Sequence, residues 1–179
     1  MSPILGKPVL TIRVRKKYMN AVENIICTHP FWKDVNPHYL HILKECATYV
    51  KFGLHQPIFQ AESAAEHFYL IHQGYVALET FMPGKGVITI QTLGPGEALG
   101  WSWLFPPYRW HLSARSADIT EAVCFGARGL RDYAEENHDF GYDLATRWAN
   151  HVAALTGHKV TARRSLWRPR RMNIAHNVP

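Results

Sequence analysis

Charge is scarce in this 179-residue chain, at 19% of positions against 47% apolar. That balance excludes a disordered chain, and at this length folding can bury roughly 70% of the unfolded surface. Long apolar runs are missing: none approaches the ~18–20 residues of a membrane span. The opening MSPILGKPVLTIRVRKK lacks the apolar stretch and cleavage site of a secretory leader, so a cytoplasmic location is expected. Cysteine is rare. Cys27, Cys46 and Cys124 are scattered without metal-ligand spacing and read as reduced thiols. There is no nucleophile elbow, phosphate-cradling glycine loop or HExxH motif. Among the histidines, His67 and His72 are five apart in an expected strand, and His38-x-x-His41 falls in an expected helix. Neither arrangement makes a metal quartet. Neither catalysis nor a bound metal is expected.

The charge that is present is segregated. Residues 1–17 hold five basic side chains and residues 158–179 hold six, with no acid in either. Of 20 basic residues, nine therefore remain in the middle against 14 acidic ones, so a chain of net +6 has a body of −5. The expected organisation is a basic extension over 1–17, a domain over 18–157 and a basic tail over 158–179. Basic tails either simply aid solubility or meet an acidic protein, a membrane surface or nucleic acid. Val9, Leu10, Ile12, Val14, Leu166, Trp167, Met172 and Ile174 interleave with the charges, which favours an acidic protein partner anchored by residues such as Trp167 and Arg168.

The pattern from Tyr18 to about Val50 is helical, with Leu40, Leu43, Ala47 and Val50 on one face. Asn36 before Pro37 makes an N-cap with proline in the first helical position. From about residue 51 to 126, short Val-, Ile-, Tyr- and Phe-rich runs alternate with glycine and proline, and PGKG at 83–86 reads as a hairpin turn. Helical pattern then returns. Leu144, Trp148, Val152 and Leu155 form a stripe and Gly157 suits a C-cap. Helices, many short strands and helices again predict an antiparallel barrel or sandwich with helical flanks.

Several motifs in this order resemble the cyclic nucleotide-binding domain of the Crp/Fnr-like superfamily. They are Ile58-Phe59, then Phe68-Tyr69-Leu70-Ile71 with Gly74 and Val76, then Leu93, Pro95, Gly96, Glu97, Leu99 and Gly100. The resemblance covers about residues 29–157 and implies an eight-stranded jelly roll, a double-stranded β-helix, with helices before and after it. It also implies a nucleotide site built from a short helix, a ribose-binding glutamate after the glycine and a phosphate-binding arginine. This sequence departs from that set. Trp101 follows Gly100, so the glutamate is absent, and Glu97 belongs to the preceding turn. Anchoring on Ala114 places Tyr108 on the arginine position, whereas a one-residue shift restores Arg109. On a strand such a shift reverses the face a side chain takes. Arg115 is expected to face solvent or an acidic neighbour.

The candidate ligand-binding residues are thus Leu99, Gly100, Trp101, Ser102, Tyr108, Arg109 and Trp110. Aromatic faces and one guanidinium suit a nucleotide-like or other small anionic ligand. Alternatively Trp101 and Trp103 fill the barrel mouth as core. Two functions follow: a non-catalytic regulatory or sensory binding module with a diverged pocket, or an accessory subunit docked through its basic tails, its pocket vestigial. Stand-alone members of the family resemble accessory subunits beside bacterial redox enzymes, including NAD-reducing hydrogenases. Sequence-specific DNA binding is not expected, because the 22 residues after Gly157 are too few for the helix-turn-helix domain that the family's regulators append. The Leu144, Trp148, Val152, Leu155 stripe either forms a homodimer seam, as this helix does in the family, or packs within its own chain.

Overall fold

The strand-rich middle of the chain forms eight strands. These are β1 (Ala47–Phe52), β2 (Pro57–Phe59), β3 (His67–Gln73), β4 (Val76–Met82), β5 (Gly86–Leu93), β6 (Ala98–Leu99), β7 (Ser113–Ser116) and β8 (Thr120–Gly126). They come from a computed structural model that describes residues 16–156. All pairings are antiparallel, in two four-stranded sheets ordered β1-β8-β3-β6 and β2-β7-β4-β5. This interleaved order is the expected jelly roll.

Helices flank the strands: α1 (Lys16–Thr28) and α2 (Leu40–Cys46) before, α3 (Ala127–Glu136) and α4 (His138–Thr156) after. The barrel opens earlier than its sequence pattern suggests. Ala47 and Val50 lie on β1, not on the helix expected to reach residue 50. ATYVKF contains β-branched and aromatic residues that suit a pleated surface, and its pairing with β8 overrides the helical spacing. Asn36 caps as expected, its side chain accepting from the His38 amide at 3.0 Å, but it opens a 3-10 turn with Pro37 in the first position. The PGKG hairpin is also present, closed by Lys85 N–H donating to the Met82 carbonyl at 3.0 Å.

The first sheet has two dissimilar faces because side chains alternate along each strand. One face carries Phe68 and Phe125, stacked at 4.7 Å, on which Trp32 and Trp103 pack at 5.9 and 5.1 Å respectively. All four rings are buried, and so is His29, which accepts from the Phe31 amide and reaches the Ile71 carbonyl. The other face carries Phe52, Tyr69, Ala122 and Cys124 and turns to the second sheet, whose Phe59 lies 6.3 Å from Tyr69. At the β3–β4 corner Gly74 has φ +82°, and a Cβ there would lie 2.3 Å from the Ile119 carbonyl oxygen. Only glycine fits.

The chain divides into two compact units, the first ending at Leu130 and the second starting at Arg131. In the second, Tyr133 and Phe140 meet edge-to-face at 5.2 Å, and Arg147 pairs with Asp143 one turn away at 2.8 Å. Leu144 and Trp148 are buried in a single copy of the chain, leaving Val152 and Leu155 half-buried. Residues 1–15 and 157–179, and with them most of the basic tails, Gly157, Trp167 and Arg168, lie outside the described residues. Among the described residues no helix is long and apolar enough to cross a membrane.

Candidate functional site

The segment between β6 and β7 decides what the barrel can hold. Gly100 follows β6 in the left-handed region, at φ +98°, and opens a single 3-10 turn, Trp101–Trp103. Tyr108 is also left-handed, at φ +55°. Residues 108–110 then run beside 62–65: Ala65 N–H donates to the Tyr108 carbonyl at 2.8 Å, Trp110 N–H to Ser63 at 3.0 Å and Glu62 N–H to Trp110 at 2.8 Å. This pairing fixes the alternation that the sequence left open. Arg109 points outward, exposed, its Nη1 donating to the Glu62 carbonyl at 2.5 Å. Trp110 points inward and is 4% exposed.

Inside, Trp110 lies flat on Phe59, with ring centroids 3.8 Å apart and planes within 9°. Its edge presses on Gly100, where a Cβ would come within 2.8 Å of two indole carbons. Glycine is therefore needed at 100 twice over, for its backbone angle and for the room the indole takes. The space left is about 100 Å³, lined by residues including Phe59, Leu78, Leu99, Ser102, Trp110 and Leu112. Small-molecule sites run to roughly 300–1,000 Å³. No Asp, Glu, Lys or Arg lines this space.

The structure brings together Leu99, Gly100, Trp101, Ser102 and Trp110 of the seven candidates, and leaves Tyr108 and Arg109 out of the lining. The tryptophans also change roles. Trp103 joins the buried layer on Phe68, away from the barrel mouth. Trp101 is 42% exposed and stacks on His111 at 5.5 Å, and Ser102 Oγ lies 3.1 Å from His111 Nδ1. Trp110 is the residue that fills the interior, whereas the sequence offers Trp101 and Trp103 for that role as the alternative to ligand binding. Glu97 takes a turn role, its carboxylate accepting from Gly94 N–H at 2.6 Å. Arg115 meets the acidic neighbour expected of it, with Nε 3.2 Å from Glu79. Among the described residues no group of three or more His, Cys, Asp or Glu side chains could hold a metal ion.

Residues 49–137 match the family model of the cyclic nucleotide-binding domain. Over that stretch the barrel is similar to a cyclic nucleotide-binding domain. A Geobacter metallireducens GS-15 protein named for cyclic nucleotide binding is 25% identical, over 75% of this chain and 96% of its own, with a TM-score of 0.67. A cyclic nucleotide-binding domain from Methylobacillus flagellatus KT is 16% identical over 79% of each chain, with a TM-score of 0.64. The regulatory domain of Toxoplasma gondii PKA, solved with cAMP, is 14% identical over 79% of this chain and 55% of its own, with a TM-score of 0.57. No curated protein sequence matches the chain.

Proposed function

We infer that the chain is a non-catalytic regulatory module built on the cyclic nucleotide-binding domain, with its nucleotide position closed by its own aromatic side chains. The observation that carries this is the flat stack of Phe59 on Trp110 with the indole edge against Gly100. A nucleotide there would have to displace a buried tryptophan. Its phosphate would then find Arg109 turned outward on the Glu62 carbonyl, and its ribose would find Trp101 where the resemblance calls for glutamate. A buried hydroxyl left without its partner costs about 1–3 kcal/mol. With no Lys or Arg in the lining, an anionic ligand finds no permanent positive charge at this position. Calorimetry with cAMP and cGMP is expected to show no saturable binding at micromolar concentration. Submicromolar cAMP binding that Arg109→Ala abolishes overturns the reading.

A closed pocket also favours the accessory-subunit alternative, in which regulation passes through protein contacts. Its supporting observation is the sign segregation, an acidic body between basic ends. Removing residues 1–17 and 158–179 should leave the barrel folded and abolish co-purification with an acidic partner. Full-yield co-purification of the truncated chain would move the interface to the barrel surface.

A further inference from the structure

The same barrel contains a second, larger hollow that the closed nucleotide position does not use. It opens on the inward face of the first sheet, where β8 runs between β1 and β3. Thr48 and Tyr69 flank Cys124, Val50 and Ile71 flank Ala122, and His67 lies across from Gly126. Beyond Thr120, which pairs with Phe52, the central strand thus presents Ala122, Cys124 and Gly126 on this face, while its neighbours present bulkier side chains, among them Phe52, Tyr69, Ile71 and His67. Small residues between large ones leave a trough of about 260 Å³. Phe52 and Tyr69 meet edge-on at 5.9 Å along it, and His67 and Tyr69 lie 6.5 Å apart.

We propose that this trough binds a small uncharged molecule of one or two fused rings carrying a hydrogen-bonding group, of the indole or phenol class. Size argues for it: an apolar cavity of roughly 150 Å³ takes benzene, so about 260 Å³ has room for a second ring. The walls argue for a ring, because Phe52, Tyr69 and His67 offer aromatic faces and edges. Polarity argues against a charged ligand. None of the lining residues is Asp, Glu, Lys or Arg. The Tyr69 hydroxyl and the Cys124 thiol interact, and burial pushes the Cys124 thiol up to about 12 and the phenol up as well, so both stay neutral. Desolvation lowers the His67 pKa, leaving its imidazole neutral at physiological pH and able to donate or accept one hydrogen bond. Thr48 supplies a hydroxyl at the rim.

The probes are indole and its anionic counterpart, indole carboxylate, titrated into the full chain and followed by NMR chemical shifts and calorimetry. Indole should bind saturably and shift resonances of Tyr69, Cys124 and Gly126. The carboxylate should bind at least about tenfold more weakly, since no cation lines the trough. Gly126→Val should weaken indole by at least about tenfold by filling the hollow. A Cβ at 126 meets nothing closer than the Cys46 carbonyl oxygen at 3.9 Å, so the variant is expected to fold. If it does not, Thr48→Phe blocks the trough from the rim. No indole binding at millimolar concentration overturns the proposal. So does binding that both filling variants leave intact, or binding that the carboxylate matches. Cyclic-nucleotide titrations test the closed position alone, so each reading can fail without the other.

Discussion

Two regions of one barrel interior, a few side chains apart, have opposite characters. Beside Gly100 the space is filled: Trp110 and Phe59 stack in van der Waals contact and about 100 Å³ remains. Along β8 the space is open, because Ala122, Cys124 and Gly126 follow one another on one face. The backbone is the same jelly roll in both places. What differs is side-chain volume at a few inward positions, so a fold can keep its architecture while its ligand space closes in one place and opens in another. Tyr69 and Phe59 stand between the regions, their rings 6.3 Å apart.

The hardest way to break this contrast is to empty the closed side. Trp110→Ala removes a ring that is 4% exposed and stacked on Phe59, and such truncations cost ~3–5 kcal/mol. Urea unfolding should report a loss of that order. The opened position should still not bind cAMP, because Arg109 remains outward and no glutamate stands at 101. Micromolar cAMP binding by Trp110→Ala would mean that the indole alone excludes the nucleotide and that Trp101 and Arg109 are irrelevant to the loss.

A smaller effect is expected at Gly100, where two separable costs fall on one residue. Gly100→Ala must hold φ +98° with a Cβ, a strain of ~1–3 kcal/mol, and must also push against the Trp110 indole at 2.8 Å. In the Trp110→Ala background the steric part disappears and the backbone part stays. A double-mutant cycle should therefore show a coupling of ~0.5–3 kcal/mol between the two sites. Strict additivity would mean that Trp110 does not press on Gly100 in solution.

The contrast between the two regions was only half legible in the sequence. Ile58-Phe59, Gly74 and the Pro95-Gly96-Glu97 turn state the jelly roll, because turn and corner chemistry is local and its residues sit next to one another in the chain. The start of β1 is not legible because Ala47 and Val50 fit a helical face as well as a strand, and only the pairing with β8 decides. The closed site failed to show for a different reason. Its outcome rests on whether Arg109 or Trp110 faces inward, a one-residue register question set by hydrogen bonds to residues 62–65 and by the left-handed Tyr108. Tyr108 gives no sign of φ +55° in its identity, as a glycine there would have done. The open trough depends on strands β1, β3 and β8, which are far apart in sequence; the small-residue alternation Ala122, Cys124, Gly126 was the one signal available.

The smallest expected effect separates the two faces of β8 by pH. On the outward face, Glu121 accepts from Lys51 Nζ at 2.8 Å and from the Tyr49 hydroxyl. These bonds, that of Lys51 first, hold its carboxyl below the usual carboxylate range against the opposing effect of burial. With the folded pKa depressed, Glu121 contributes stability above its unfolded pKa and loses it as pH falls through the folded value. Lys51 is half-exposed, and solvent screening keeps such a pair below about 1 kcal/mol. Glu121→Gln should thus be slightly less stable than wild type at about pH 7, with the gap closing at about pH 3 and shrinking in high salt. On the inward face of the same strand, Cys124 titrates only near about 12. The stability difference of Cys124→Ala from wild type should therefore stay flat from about pH 5 to about pH 8. Chemical unfolding across this range reads both curves at once. A Glu121→Gln gap that persists in acid would assign the residue a packing role, and a Cys124→Ala difference that moves with pH would place charge on the trough wall.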